Sequence, residues 1–189
     1  MSLESKIIDY KDNEEDIKHW ILLKGEFRYE VIIDILINNK IPTTWENVTK
    51  CVKYDKRLLI NTFKYIVFLE EYFKSMIFKY KTIEKERLLK YEFSTTLNEF
   101  MKLDNAEIYD DMNYGLLKSE KDQIIDFRNS VVHNKILVGQ IFKGYSLNRM
   151  IDIYTQILPK SYRDGFISDI KKCDRGLYIS KLFLVHNKN

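Results

Sequence analysis

Between Ser119 and Val138 the chain reads SEKDQIIDFRNSVVHNKILV, and its apolar residues recur with the period of a helix. Ile124, Phe127 and Val131 fall at steps of three and four, with Ile125, Val132 and Ile136 on the adjoining strip. Ser119 three residues ahead of Asp122 reads as an N-cap followed by an acid in the positive first turn. Gly139 supplies the stop. A helix is therefore expected over 119–138.

That helix carries Arg128, Asn129 and His133, the pattern R-N-x-x-x-H. At about 100° per residue, with Arg128 as zero, Asn129 projects near 100°, His133 near 140° and Asp126 near 160°. A permanent cation, an amide, an imidazole and a carboxylate thus share less than half of one circumference. A solvated face, or an Arg and Asn that satisfy a buried turn, would give the same spacing.

The length of 189 residues suits one domain, expected to span 1–189, and is enough to bury a full core. Six Gly and two Pro leave few breakers, and 45% hydrophobic content points to packed helices. No apolar run approaches a membrane span, and the polar N-terminus MSLESKIIDYKDNEED does not read as a signal peptide, so a cytoplasmic chain without a membrane partner is expected. Cys51 and Cys173 lack neighbours at zinc spacing and read as core thiols, which with three His leaves no metal cage to expect.

The net charge of +3 announces no polyanion by itself, but its distribution is uneven. Residues 1–36 hold 5 basic and 9 acidic side chains, and residues 50–90 hold 11 basic and 5 acidic. Two faces meeting different partners, or simply solvated helix faces, explain such asymmetry.

Upstream, a helix from Glu14 to Ile37 is expected with Ile17, Trp20, Ile21, Phe27, Val31 and Ile35 on one face and Lys24 as its interruption. Thr43-Thr44-Trp45-Glu46 reads as a capping box for a short helix ending near Cys51. A second long helix follows from Asp55 to Tyr80, where Leu59, Phe63, Ile66, Phe73, Ile77 and Tyr80 form a stripe. Glu70 occupies the skipped position in that stripe, and an acid there needs a partner. Lys74 is available four residues on; the alternative is a reach across the bundle to Arg128 or His133. A third helix is expected over 83–103, a polar connection over 104–117, and further helices over 146–158, 162–172 and 177–186, the last helical or strand-like.

FRNSVVH resembles the signature of HEPN domains, all-helical proteins whose ribonuclease members carry Arg, a polar residue, three variable residues and His near a helix end. YDKRLLINTFKYIVFLEEYFKSMI resembles the second-helix region of the abortive-infection (Abi-like) branch, with Glu70 and Lys74 at its acid and base. The resemblance spans residues 25 to 160. It implies an all-α, up-and-down bundle with additional short C-terminal helices, acting as a metal-independent endoribonuclease in phage defence or a toxin–antitoxin system. Arg128, His133 and Asn129 would then be catalytic, with Glu70 and Asp126 in support. His133 would act as base on the RNA 2′-OH or acid to the leaving 5′-oxygen, and Arg128 would hold the scissile phosphate. No cofactor is implied; the implied partners are RNA, a second copy in a two-fold dimer, and an antitoxin protein. A HEPN-like module that binds RNA or a nucleotide without cutting is the alternative.

Overall fold

A helix of 36 residues, α4 (Trp45–Tyr80), is the spine of the fold. It is about 54 Å long. Thr44 starts it, its hydroxyl accepting from the Asn47 N–H at 3.3 Å. The two helices expected at 45–51 and 55–80 are one, because Val52-Lys53-Tyr54 contains no Gly or Pro and keeps the apolar phase. Asp55 consequently lies in mid-helix, not at a start.

The computed structural model describes residues 3–103, 105–177 and 179, of which 74% are helical, so the chain is all-α. Ahead of α4 come α1 (Leu3–Lys6), a 3-10 turn (Lys11–Asn13), α2 (Glu14–Lys24) and α3 (Glu26–Asn38). After it come α5 (Lys85–Leu89), α6 (Phe93–Phe100), α7 (Ala106–Asp111), α8 (Tyr114–Ser119) and α9 (Lys121–Val132). A hairpin of β1 (Ile141–Phe142) and β2 (Tyr145–Ser146), paired Phe142 to Tyr145, leads to α10 (Leu147–Ile157) and α11 (Lys160–Cys173). The expected segment 177–186 lies outside the described residues except for Leu177 and Ile179.

Helices α3, α6, α9 and α11 all pack on α4. Its first turns, from Trp45 to Val52, join Tyr29, Ile33 and Leu36 in one apolar cluster. Leu58 to Ile77 join α6, α9, α10 and α11 in a larger one, where Phe73 and Phe100 stack at 4.3 Å. Ile35 and Tyr54 touch both clusters. The C-terminal α11, at 14 residues, is a principal wall and not a short appendage.

Three expected elements are interrupted. Gly25, at φ 84°, breaks the helix expected over 14–37; L side chains rarely adopt that conformation. The break rotates the following helix, so Tyr29, Ile32, Ile33 and Leu36 are buried while Phe27 stands 74% exposed. The third expected helix divides at Lys90–Glu92 into α5 and α6. The supposed polar connection folds into α7 and α8, where the Asn113 side chain accepts from the Leu116 N–H at 3.0 Å as an N-cap. No helix among the described residues is long and apolar enough to cross a membrane.

Of the expected stripe on α4, Leu59, Ile66, Phe73 and Ile77 are buried, and the buried face is wider than that stripe. Leu58, Thr62, Tyr65, Ile66, Leu69 and Phe73 are buried, while Phe63 is 45% exposed. Glu70 therefore sits at the edge of the buried face, half-buried and able to reach a neighbouring helix.

Candidate active site

Helix α9 is rooted by its apolar side. Phe127 packs edge-on against Phe142 at 4.9 Å and tilted against Tyr154 at 5.0 Å, contacts of about 0.5–1.5 kcal/mol each beyond burial. The Tyr154 hydroxyl donates to the Ile124 carbonyl at 3.1 Å. These contacts turn Arg128, Asn129 and His133 to the opposite side.

The helix is shorter than expected at both ends. Ser119 closes α8, its hydroxyl donating to the Leu116 carbonyl at 3.3 Å, and Glu120 precedes α9 without a side-chain cap. At the other end Asn134 adopts φ 54°, a left-handed turn that Asn tolerates. The N–H of Lys135 reaches the Ser130 carbonyl at 2.9 Å and that of Asn134 reaches Val131 at 3.1 Å. This is a Schellman stop. His133 becomes the C-cap and is exposed, while Ile136, Leu137 and Val138 continue as buried, non-helical chain.

Arg128 is held from three sides. One terminal nitrogen donates to Glu70 Oε2 at 3.1 Å, the other to Asn129 Oδ1 at 3.2 Å, and the guanidinium lies 5.2 Å from the Phe93 ring centre. Its Nε–H is buried without a partner. Of the five N–H groups of a guanidinium, two terminal ones remain uncommitted. Glu70 makes both contacts that its sequence position left as alternatives, since Oε1 also accepts from Lys74 Nζ at 3.0 Å.

These side chains line a cleft of about 530 Å³ between α4, α9 and the α5–α6 break. Glu70, Lys74, Arg128, Asn129 and His133 are together in it; Asp126 is not among its lining residues. The helical angle that stacked Asp126 under His133 ignored seven residues of rise, about 10 Å. Tyr91, Glu92 and Ser94 also line the cleft, and they carry no sequence signal because no Gly or Pro marks the break that presents them. Carboxylates Glu70 and Glu92 stand against cations Lys74 and Arg128, so the fixed charges lining the cleft balance.

The chain following His133 is pinned from beneath. Asp55, fully buried, accepts from the N–H groups of Leu137 at 2.7 Å and Val138 at 3.1 Å, and pairs with Arg28. Arg28 in turn donates to the Asn134 carbonyl at 2.7 Å and to its Oδ1 at 3.2 Å. Burial pushes the Asp55 carboxyl above its ordinary value, with the two amides and the guanidinium pulling the other way. Gly139 completes the turn against Ile35, whose side chain lies 2.9 Å from where any Cβ would stand. Cys51 is buried and free, and burial pushes its thiol up to about 12, which leaves it unreactive.

The bridging role of Glu70 is testable. A double-mutant cycle of Glu70→Gln with Arg128→Ala is expected to show a coupling above ~0.5 kcal/mol in unfolding free energy. Strict additivity would return Glu70 to a local pair with Lys74. No protein-family model, curated protein or solved structure matches this chain.

Proposed function

We propose that the chain is a metal-independent endoribonuclease of the HEPN type, of the kind that serves phage defence or toxin–antitoxin control. One observation carries the reading: an oriented guanidinium, Arg128, and an exposed imidazole, His133, line the same cleft. In the reaction the 2′-oxygen of RNA bonds to the adjacent phosphorus and the P–O5′ bond breaks. His133 takes the 2′-OH proton or returns one to the leaving 5′-oxygen. The free N–H bonds of Arg128 meet the charge that gathers on the phosphoryl oxygens, and Asn129 and Glu70 fix the plane of the guanidinium. A single imidazole serves one proton transfer at a time. A second copy about a two-fold axis brings a second His133 to the cleft, so that one acts as base and the other as acid.

Incubated with single-stranded RNA in EDTA, the purified protein is expected to leave 2′,3′-cyclic phosphate and 5′-hydroxyl ends and to spare DNA, which lacks the attacking hydroxyl. Products with 5′-phosphates, or equal loss of DNA, would contradict the mechanism.

The engagement of Arg128 by Glu70 and Asn129 favours a second reading, a binding or regulatory dimerisation module in which Arg128 locks α9 onto α4. Under it RNA is retained uncut, Arg128→Ala weakens retention and His133→Ala changes it little.

A further inference from the structure

A second cleft, of about 380 Å³, lies beside the first, across the single step from His133 to Asn134. Lys24, Arg28, Asn134 and Lys135 line it together with Phe27. Arg28 is committed to Asp55. Lys56 reaches the same place, its Nζ donating to Asn134 Oδ1 at 3.3 Å. Partial burial, with the neighbouring charges of Lys53 and Lys56, holds the Lys24 ammonium below its ordinary value. Lys24, Lys53, Lys56 and Lys135 are all exposed, and among the described residues none of them pairs with a carboxylate.

Gathering the ammonium groups of Lys24, Lys56 and Lys135 around one concave surface without a carboxylate partner costs free energy that an anion relieves. The adjoining catalytic cleft has no such excess, with two carboxylates against two fixed cations. A polyanion reaching His133 therefore finds its attraction next door. We propose that Lys24, Lys56 and Lys135 form a phosphate-binding site that grips the RNA backbone beside the scissile bond, dividing affinity and cleavage between two adjoining clefts. The identity of the ligand rests on the ribonuclease reading. Ammonium groups contact phosphate and not sugar, so single-stranded DNA is expected to occupy the same site and compete with RNA without being cut.

The test is retention of a labelled RNA oligonucleotide of about 12 nucleotides, a common single-strand site size, by His133→Ala protein, so that nothing is cut during the measurement. Adding Lys24→Gln, Lys56→Gln and Lys135→Gln is expected to weaken retention ~10-fold or more and to flatten the plot of log affinity against log salt by about 2, the share of three phosphate contacts. The same three positions changed to Arg keep the charge and are expected to keep retention, which separates charge from packing. Trp20 gives a local reading. Lys24 Nζ lies 4.4 Å from its ring and Trp45 is buried, so emission from Trp20 is expected to change on binding. If the triple Gln protein binds as tightly as its parent while wild type cuts RNA, the lysine site is overturned and the ribonuclease reading stands. If retention is lost in the Gln protein but wild type never cuts, the lysine site stands and the ribonuclease reading falls. Wild type that retains neither RNA nor DNA overturns both.

Discussion

His133→Ala is expected to lower RNA cleavage by ~10²-fold or more, the usual cost of losing a general acid or base. It is expected to leave stability within about 0.5 kcal/mol, as for other surface substitutions. The separation follows from how the helix end is built. His133 is exposed, and the stop that follows it is made by backbone bonds from Asn134 and Lys135. Truncating the imidazole removes no packing and no cap. Arg128→Ala differs, because it strips Glu70 of its cross-bundle partner and Phe93 of its cation, and a loss of stability is expected beside any loss of activity. Cleavage rates measured with thermal melts on the same preparations check both expectations. An alanine variant at 133 that cuts like wild type would remove the imidazole from the mechanism.

The side chains in the cleft are legible to different degrees, for identifiable reasons. Arg128, Asn129 and His133 can be placed on one helix side from periodicity alone, and Glu70 declares itself as an acid beside apolar neighbours. The end of α9 cannot be read in the same way. Ile136, Leu137 and Val138 prolong the apolar pattern, while the chain leaves the helix at Asn134 through a left-handed turn that hydrophobic spacing does not encode. Lys24 reads as a flaw in an apolar face only if the helix is continuous; the turn at Gly25 divides that face, so that Ile17, Ile21, Val31 and Ile35 pack inward while Trp20 and Phe27 stay exposed and Lys24 lines the second cleft. Asp55 was the least legible. As the first residue of a helix it is an ordinary favourable acid, and as mid-helix residue it falls on the buried line of Val48, Val52 and Leu59, where its partners are 27 and 82 residues away in sequence.

Asp55→Ala is expected to destabilise the fold by about 3–5 kcal/mol, the range for removing one member of a buried ion pair. Two separate losses add at this position. Arg28 is left largely enclosed without its carboxylate, and the N–H groups of Leu137 and Val138 are left buried without an acceptor. Arg28→Ala is expected to cost less, because Asp55 then keeps both amide donors and can take up a proton. That difference has a pH signature. Burial already raises the Asp55 carboxyl in the folded chain, and loss of the guanidinium raises it further. A carboxyl whose folded value exceeds its unfolded one, near 3.9, contributes stability below the unfolded value and loses it as pH rises through the folded one. The deficit of Arg28→Ala is therefore expected to be greatest at neutral pH and to shrink on acidification, whereas that of Asp55→Ala, with no carboxyl to titrate, shows no such recovery. Denaturant unfolding of the two variants from pH 7 down to pH 4 separates them. Parallel pH profiles would show that Arg28 does not set the charge state of Asp55.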